Sequence, residues 1–127
     1  MRVVGLMSGT SLDGVDAAVV EFEGADEREL RWGVRAFVTV PYTAERRERI
    51  HEAIVEGGAA ALCRLHAELG EWFAEAALAA CEAAALAPEE VDLIGSHGQT
   101  VWHEPPEAGR RGATLQLGCA ATIAERT

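Results

Sequence analysis

With 127 residues, 49% of them apolar and 25% charged, the chain has the size and balance of one small packed domain, which excludes a disordered tail or a fibrous repeat. Its formal charge of −10 argues against nucleic acid as a partner, because a phosphate backbone is gripped by clustered cations. All eleven basic residues are Arg, so a phosphate loop of the Gly-x-x-x-x-Gly-Lys-Ser/Thr type is excluded and any nucleotide must be held in another way.

Arg2 to Met7 is a short apolar run and Val15 to Phe22 is another, separated by the Gly- and Ser-rich stretch Ser8 to Gly14. That pattern predicts a hairpin with a long polar loop. Gly5 and Ser8-Gly9-Thr10 interrupt the first run before a signal-peptide core or a spanning segment could form, so the expectation is a cytoplasmic protein with no membrane partner. After the turn-like Gly24-Ala25-Asp26, the stretch from Leu30 to Val40 alternates. Trp32, Val34, Ala36, Val38 and Val40 fall on one face of a third strand, and Arg31, Arg35 and Thr39 on the other. Pro41 ends this strand, and Thr43 is placed to cap a helix running to about Val55, with Ile50 and Ile54 one turn apart and Gly57-Gly58 as its break.

From Ala59 to about Leu86 the positions Leu62, Leu65, Leu69, Trp72, Phe73 and Ala76 recur at spacings of three and four, the stripe of a helix that packs on the first three strands. The alanine-rich remainder favours helix by propensity, and Pro88 closes it. Val91 to Gly95 reads as a short buried strand that delivers Ser96-His97-Gly98-Gln99-Thr100 as a polar loop. Thr114 to Leu117 is one more strand, and Cys119 to Arg126 begins a helix. Cys63, Cys81 and Cys119 form no CxxC; on one long helix the first two would stand roughly 27 Å apart, so reduced, structural thiols are expected. Three consecutive strands followed by helix, helix and strand is not the alternating order of a dinucleotide-binding fold. It is the order with which the ribonuclease-H-like lobe of the actin and hexokinase superfamily begins, and the expected class is α/β.

Two clusters carry chemistry. In Gly5 to Asp16 the glycines permit close backbone approach, so that successive N–H groups can converge on one anion. Ser8, Thr10 and Ser11 add hydroxyl donors, and Asp13 and Asp16 are oxygen ligands of the kind Mg²⁺ accepts through water. An ordinary hairpin turn with capping hydroxyls would have the same composition. Neither a nucleophile elbow nor a Gly-x-Gly-x-x-Gly fingerprint is present. In the second cluster, Gly95 to Pro105, His97, Gln99, Thr100, His103 and Glu104 beside Trp102 suit a polyhydroxylated ligand, and would equally occur in a polar loop. No further His or Cys stands at zinc-ligand spacing, and His51 and His66 read as surface or core-edge residues of helices.

Gly5-Leu6-Met7-Ser8-Gly9-Thr10-Ser11-Leu12-Asp13-Gly14-Val15-Asp16 resembles the N-terminal signature of anhydro-N-acetylmuramic acid kinases, and Ser96-His97-Gly98-Gln99-Thr100-Val101-Trp102-His103-Glu104-Pro105 resembles their second one. Thr114-Leu115-Gln116-Leu117-Gly118 with Ala121-Thr122-Ile123-Ala124 is similar to a third block. The resemblance implies a two-lobed actin and hexokinase fold, of which residues 1–127 would be an incomplete N-terminal lobe, with ATP and Mg²⁺ in the cleft. It implies opening of the 1,6-anhydro ring of the muramyl sugar by water, coupled to phosphorylation at O6, in cell-wall recycling. By position, Gly9, Thr10, Ser11, Leu12, Asp13, Gly14, Val15 and Asp16 would bind the ATP phosphates, Asp13 would meet the metal shell, and His97, Gln99 and Thr100 would contact the sugar.

No catalytic residue is assigned in this stretch: the family's water-activating aspartate and its second-lobe glycines are expected beyond Thr127, so residues 1–127 alone are expected to be inactive. The small-molecule partners implied are ATP and an amino sugar, and the full-length form admits a homodimer. Cys119 stands where the family usually has Asp. A non-catalytic nucleotide-binding module of the same superfamily, or a truncated remnant, are the rival readings.

Overall fold

The computed structural model describes residues 1–24 and 29–127. Its elements run β1 (Arg2–Ser8), β2 (Gly14–Glu23), β3 (Arg31–Pro41), α1 (Ala44–Glu56), α2 (Ala59–Ala83), a 3-10 turn (Pro88–Glu90), β4 (Leu93–Glu104), β5 (Ala113–Leu117) and α3 (Ala120–Arg126). The five strands form one sheet in the order β3-β2-β1-β4-β5. β1, β2 and β3 pair antiparallel as a meander, β4 lies parallel to β1, and β5 folds back antiparallel on β4. This is the expected α/β class, with its three-strand opening. Ala25 and Asp26 of the turn expected after β2 lie outside the described residues.

Local signals account for the helix ends. Thr43 caps α1, its hydroxyl accepting from the Arg46 N–H at 3.2 Å, and Gly57 in the left-handed region ends it. In α2 the apolar stripe does what its spacing predicts. Leu65, Leu69 and Phe73 are fully buried, with Leu62 and Trp72 packed at the margin, against Val4, Leu6, Val15, Ala17 and Val19 of the sheet. Alanines at 76, 77 and 80 let the helix sit close to that surface. α1 joins through Ile50 and Ala53, and α3 through Ile123. Among the described residues no helix is long and apolar enough to cross a membrane.

β3 departs from the simple alternation. Val34 pairs with Val20, but Ala36 pairs with Val19, so one extra residue of β3 sits opposite that step. Because neighbouring strand residues face opposite sides, the bulge splits the expected apolar face. Ala36, Val38 and Val40 pack on the core, whereas Trp32 and Val34 turn to the helix-free side and are 67% and 57% exposed. The second departure is in β4: the polar run expected as a loop at residues 96–100 is itself strand, continuous from Leu93 to Glu104.

Two measurements test this core. Replacing Phe73 by Ala removes a fully buried ring, and denaturant unfolding should show a loss of about 3–5 kcal/mol. Tyr42, the single tyrosine, is buried with a phenol oxygen that has no hydrogen-bond partner among the described residues, and burial pushes its pKa up to about 12. The folded state therefore keeps a proton that the unfolded chain releases near pH 10. The contribution of Tyr42 to stability should be constant below that pH and should fall by about 3 kcal/mol as pH rises from 10 through 12. Phenolate absorbance reports Tyr42 alone, so a folded-state midpoint near 10 would contradict the assignment. Tyr42→Phe should be neutral or stabilising, since it deletes an unsatisfied buried hydroxyl.

Candidate functional site where two strands end together

β1 and β4 are parallel, so they carry their chains toward the same end of the sheet, where clefts form in open α/β sheets. The loop after β1 and the polar run of β4 thus meet there, although about ninety residues separate them. The pairing runs from Val3 opposite Leu93 to Leu6 opposite Ser96, then skips to Ser8 opposite Gln99. One extra residue on β4 is absorbed where Gly98 adopts φ +80°; a side chain there would also press to 2.8 Å from the Leu117 carbonyl, so only glycine suits the position. The shift turns Gln99 inward and leaves His97 exposed.

A cleft of about 400 Å³ opens at this junction, lined by Gly9, Thr10, His97, Thr100, His103, Thr114 and Gln116. Its wall presents hydroxyls, an amide and two imidazoles. The His97 Nδ1 lies 3.2 Å from the Gly98 carbonyl, which can only accept, so in the neutral ring Nδ1 carries the proton and Nε2 is left as an acceptor. Gln116 Nε2 donates to the Thr114 hydroxyl at 2.5 Å, and that hydroxyl donates to the Trp102 carbonyl at 3.2 Å, which orders the β5 side of the wall.

The predicted phosphate-binding residues divide by position. Thr10, Ser11 and Asp13 are exposed in the loop, and Gly9 is half-buried beside the cleft. Leu12, at φ +53°, packs partly on the core, while Gly14 and Val15 are buried and could meet a ligand only through the backbone. Asp16 is in β2, where its carboxylate accepts from the Thr39 hydroxyl at 2.6 Å. The Asp13 carboxyl is held below the usual carboxylate range, first by the Ser11 hydroxyl, which donates to it at 2.7 Å, then by its own N–H and that of Gly14. One exposed carboxylate beside hydroxyls is a donor set that suits Mg²⁺ carried with phosphate oxygens and water. The described residues bring no three His, Cys, Asp or Glu side chains together that could hold a metal unaided.

Of the residues expected against a sugar, His97 and Thr100 line the cleft and Gln99 does not. Gln99 is 0% exposed, and its amide is bonded to Ser8, Gly9 and Thr100. The sequence named His103 without assigning it a contact, and it missed Thr114 and Gln116. The one signal that pointed toward the latter two was the third block, which begins at Thr114. His66 also has a part that its helical position did not reveal: its Nδ1 accepts from the Gly118 N–H at 3.1 Å and its carbonyl from the Cys119 N–H at 3.0 Å, fixing the turn into α3. Cys119 is the N-cap of that helix, and the Thr122 hydroxyl, with the N–H groups of Thr122 and Ala121, lowers its thiol pKa.

A family model described as anhydro-N-acetylmuramic acid kinase matches residues 1–127. The chain is 42% identical over 130 aligned residues to the anhydro-N-acetylmuramic acid kinase of Bacillus thuringiensis subsp. konkukian (strain 97-27), with 100% of this chain and 34% of the relative covered. It is 44% identical over 130 residues to that of Synechococcus elongatus, covering 100% of this chain and 33% of the relative. The chain thus spans about a third of the length of the curated relatives it matches.

Proposed function

The chain belongs to the anhydro-N-acetylmuramic acid kinase family, and from that premise we propose that it forms the phosphate-side lobe and one sugar-facing wall of an ATP-dependent kinase acting on the anhydro sugar of muramic acid. In that reaction water adds at C1 as the C1–O6 bond breaks, and O6 takes the γ-phosphoryl group of ATP, leaving ADP and the 6-phosphorylated sugar. The observation that supports this most is the convergence of Gly9 and Thr10 with His97, Thr100 and His103 on one cleft, from two clusters far apart in sequence.

Each part has a role set by its chemistry. The hydroxyls of Thr10 and Ser11 and the loop N–H groups would bind the nucleotide's phosphates, and the Asp13 carboxylate would meet the water shell of Mg²⁺. Mg²⁺, when bound, supplies neutralising charge for the phosphoryl oxygens. His97 Nε2 accepts from a sugar hydroxyl, while Thr100, His103, Thr114 and Gln116 orient the remaining polar groups. Among the described residues lining the cleft there is no carboxylate. This wall binds and orients its ligands, which in phosphoryl transfer is most of the protein's task.

Sugar-dependent ADP release by the full-length protein tests the reading. Asp13→Ala should lower kcat by about 10²–10³, with KM for the sugar unchanged within about twofold, and the melting temperature unmoved because Asp13 is exposed. ATP binding without sugar-dependent turnover would favour the non-catalytic module. An Asp13→Ala protein as active as its parent would remove the metal-shell role.

A further inference from the structure

Gln99 stands out among the largest fully buried side chains, the others being Phe73, Ile50, Leu65, Leu69, Val4, Val15, Val19 and Ser8. An amide in such a place is costly unless every polar atom finds a partner. Here each does. The Ser8 hydroxyl shares its one proton between Oε1 at 2.7 Å and the Gly14 carbonyl at 2.6 Å, and Nε2 donates to the Gly9 carbonyl at 2.7 Å and the Thr100 carbonyl at 3.0 Å. The orientation is fixed by chemistry, since a flipped amide would set its oxygen against two carbonyls.

These bonds grip the loop at its start and its end. Gly9 opens the loop after β1, and the Ser8 hydroxyl lies 2.6 Å from the carbonyl of Gly14, where β2 begins. The partners of Gln99 are 91 and 90 residues away in sequence, and its immediate neighbour Thr100 lines the cleft. We propose that Gln99 is a positioning residue: through Ser8 and Gly9 it holds the loop in the shape that receives the nucleotide's phosphates, without touching nucleotide or sugar. This rests on the kinase reading above. It replaces the sugar contact expected of Gln99 with a structural task directed at the other ligand.

The test is calorimetric titration of the full-length protein with ATP–Mg²⁺ and, separately, with the anhydro sugar. Gln99→Leu keeps the volume and deletes the bonds; ATP binding should weaken at least tenfold, while sugar binding stays within threefold. Val101→Ala, a neighbouring core change, serves as a stability control and should move neither affinity beyond threefold at matched loss of melting temperature. Gln99→Glu adds a pH signature. Ionised, the carboxylate repels the Gly9 carbonyl; protonated, it can donate to it, and burial favours the protonated form. Relative to the parent at each pH, its ATP affinity should be poor at pH 8 and recover toward pH 6, with no such recovery in Gln99→Leu.

If Gln99→Leu does not fold, Ser8→Ala, which changes little volume and takes away the partner of Oε1 alone, should itself weaken ATP binding at least threefold. ATP affinity in Gln99→Leu within threefold of the parent, or an equal loss in Val101→Ala, overturns the proposal. A parent that binds no ATP removes the kinase reading and this inference with it; a parent that binds ATP beside an unaffected Gln99→Leu removes the inference alone.

Discussion

The parallel pairing of β1 with β4 is the constraint on which the rest of the molecule depends. Parallel neighbours cannot be joined by a tight turn, so the chain must travel the length of the sheet and return before β4 can form. In this protein β2, β3, α1 and α2 fill that excursion, and they use it to cover one sheet face. The reward is geometric. Two strands that end at the same side bring the Ser8–Gly14 loop and the polar half of β4 together without any direct connection between them.

Stability and site are linked through the same few residues. The apolar stripe of α2 supplies the core, with α1 and α3 held alongside by Arg46–Glu75, Arg49–Glu68 and Arg126–Glu71 ion pairs at 2.7–2.8 Å. Such surface pairs contribute about 0–1 kcal/mol each, so they align helices more than they hold the fold. Closer to the cleft, polar groups go inside. Ser8 and Gln99 lie in the same buried layer as Leu6 and Val15, and Tyr42, whose N–H donates to the Asp13 carbonyl at 3.0 Å, lies at the loop's other flank. A loop backed by packed, bonded side chains loses less freedom when a ligand binds than one standing free.

The helix-free sheet face shows how a small register event redirects side chains. With the bulge opposite Val19 and Val20, Trp32 pairs with Phe22 on that face, while Val38, six residues on, still faces the core. The Gly98 irregularity does the reverse for function: it takes one member of the second cluster inside and leaves its neighbours at the cleft.

Much was legible in the sequence. The helix of Leu65, Leu69 and Phe73, the Thr43 cap, the Gly57 stop, the loop between the first two strands and the chemical character of both clusters follow from residues within a turn or two of one another. Local periodicity, capping and turn chemistry are near-neighbour effects, so a single sequence states them. Only the tertiary structure decided that Trp32 and Val34 leave the core, that the second cluster is strand, that Thr114 and Gln116 complete the cleft wall, and that Gln99 supports the loop. Those outcomes depend on register between segments tens of residues apart, where a shift of one residue reverses which face a side chain takes. Local spacing carries no record of that register; packing of the two strands against a common helix sets it.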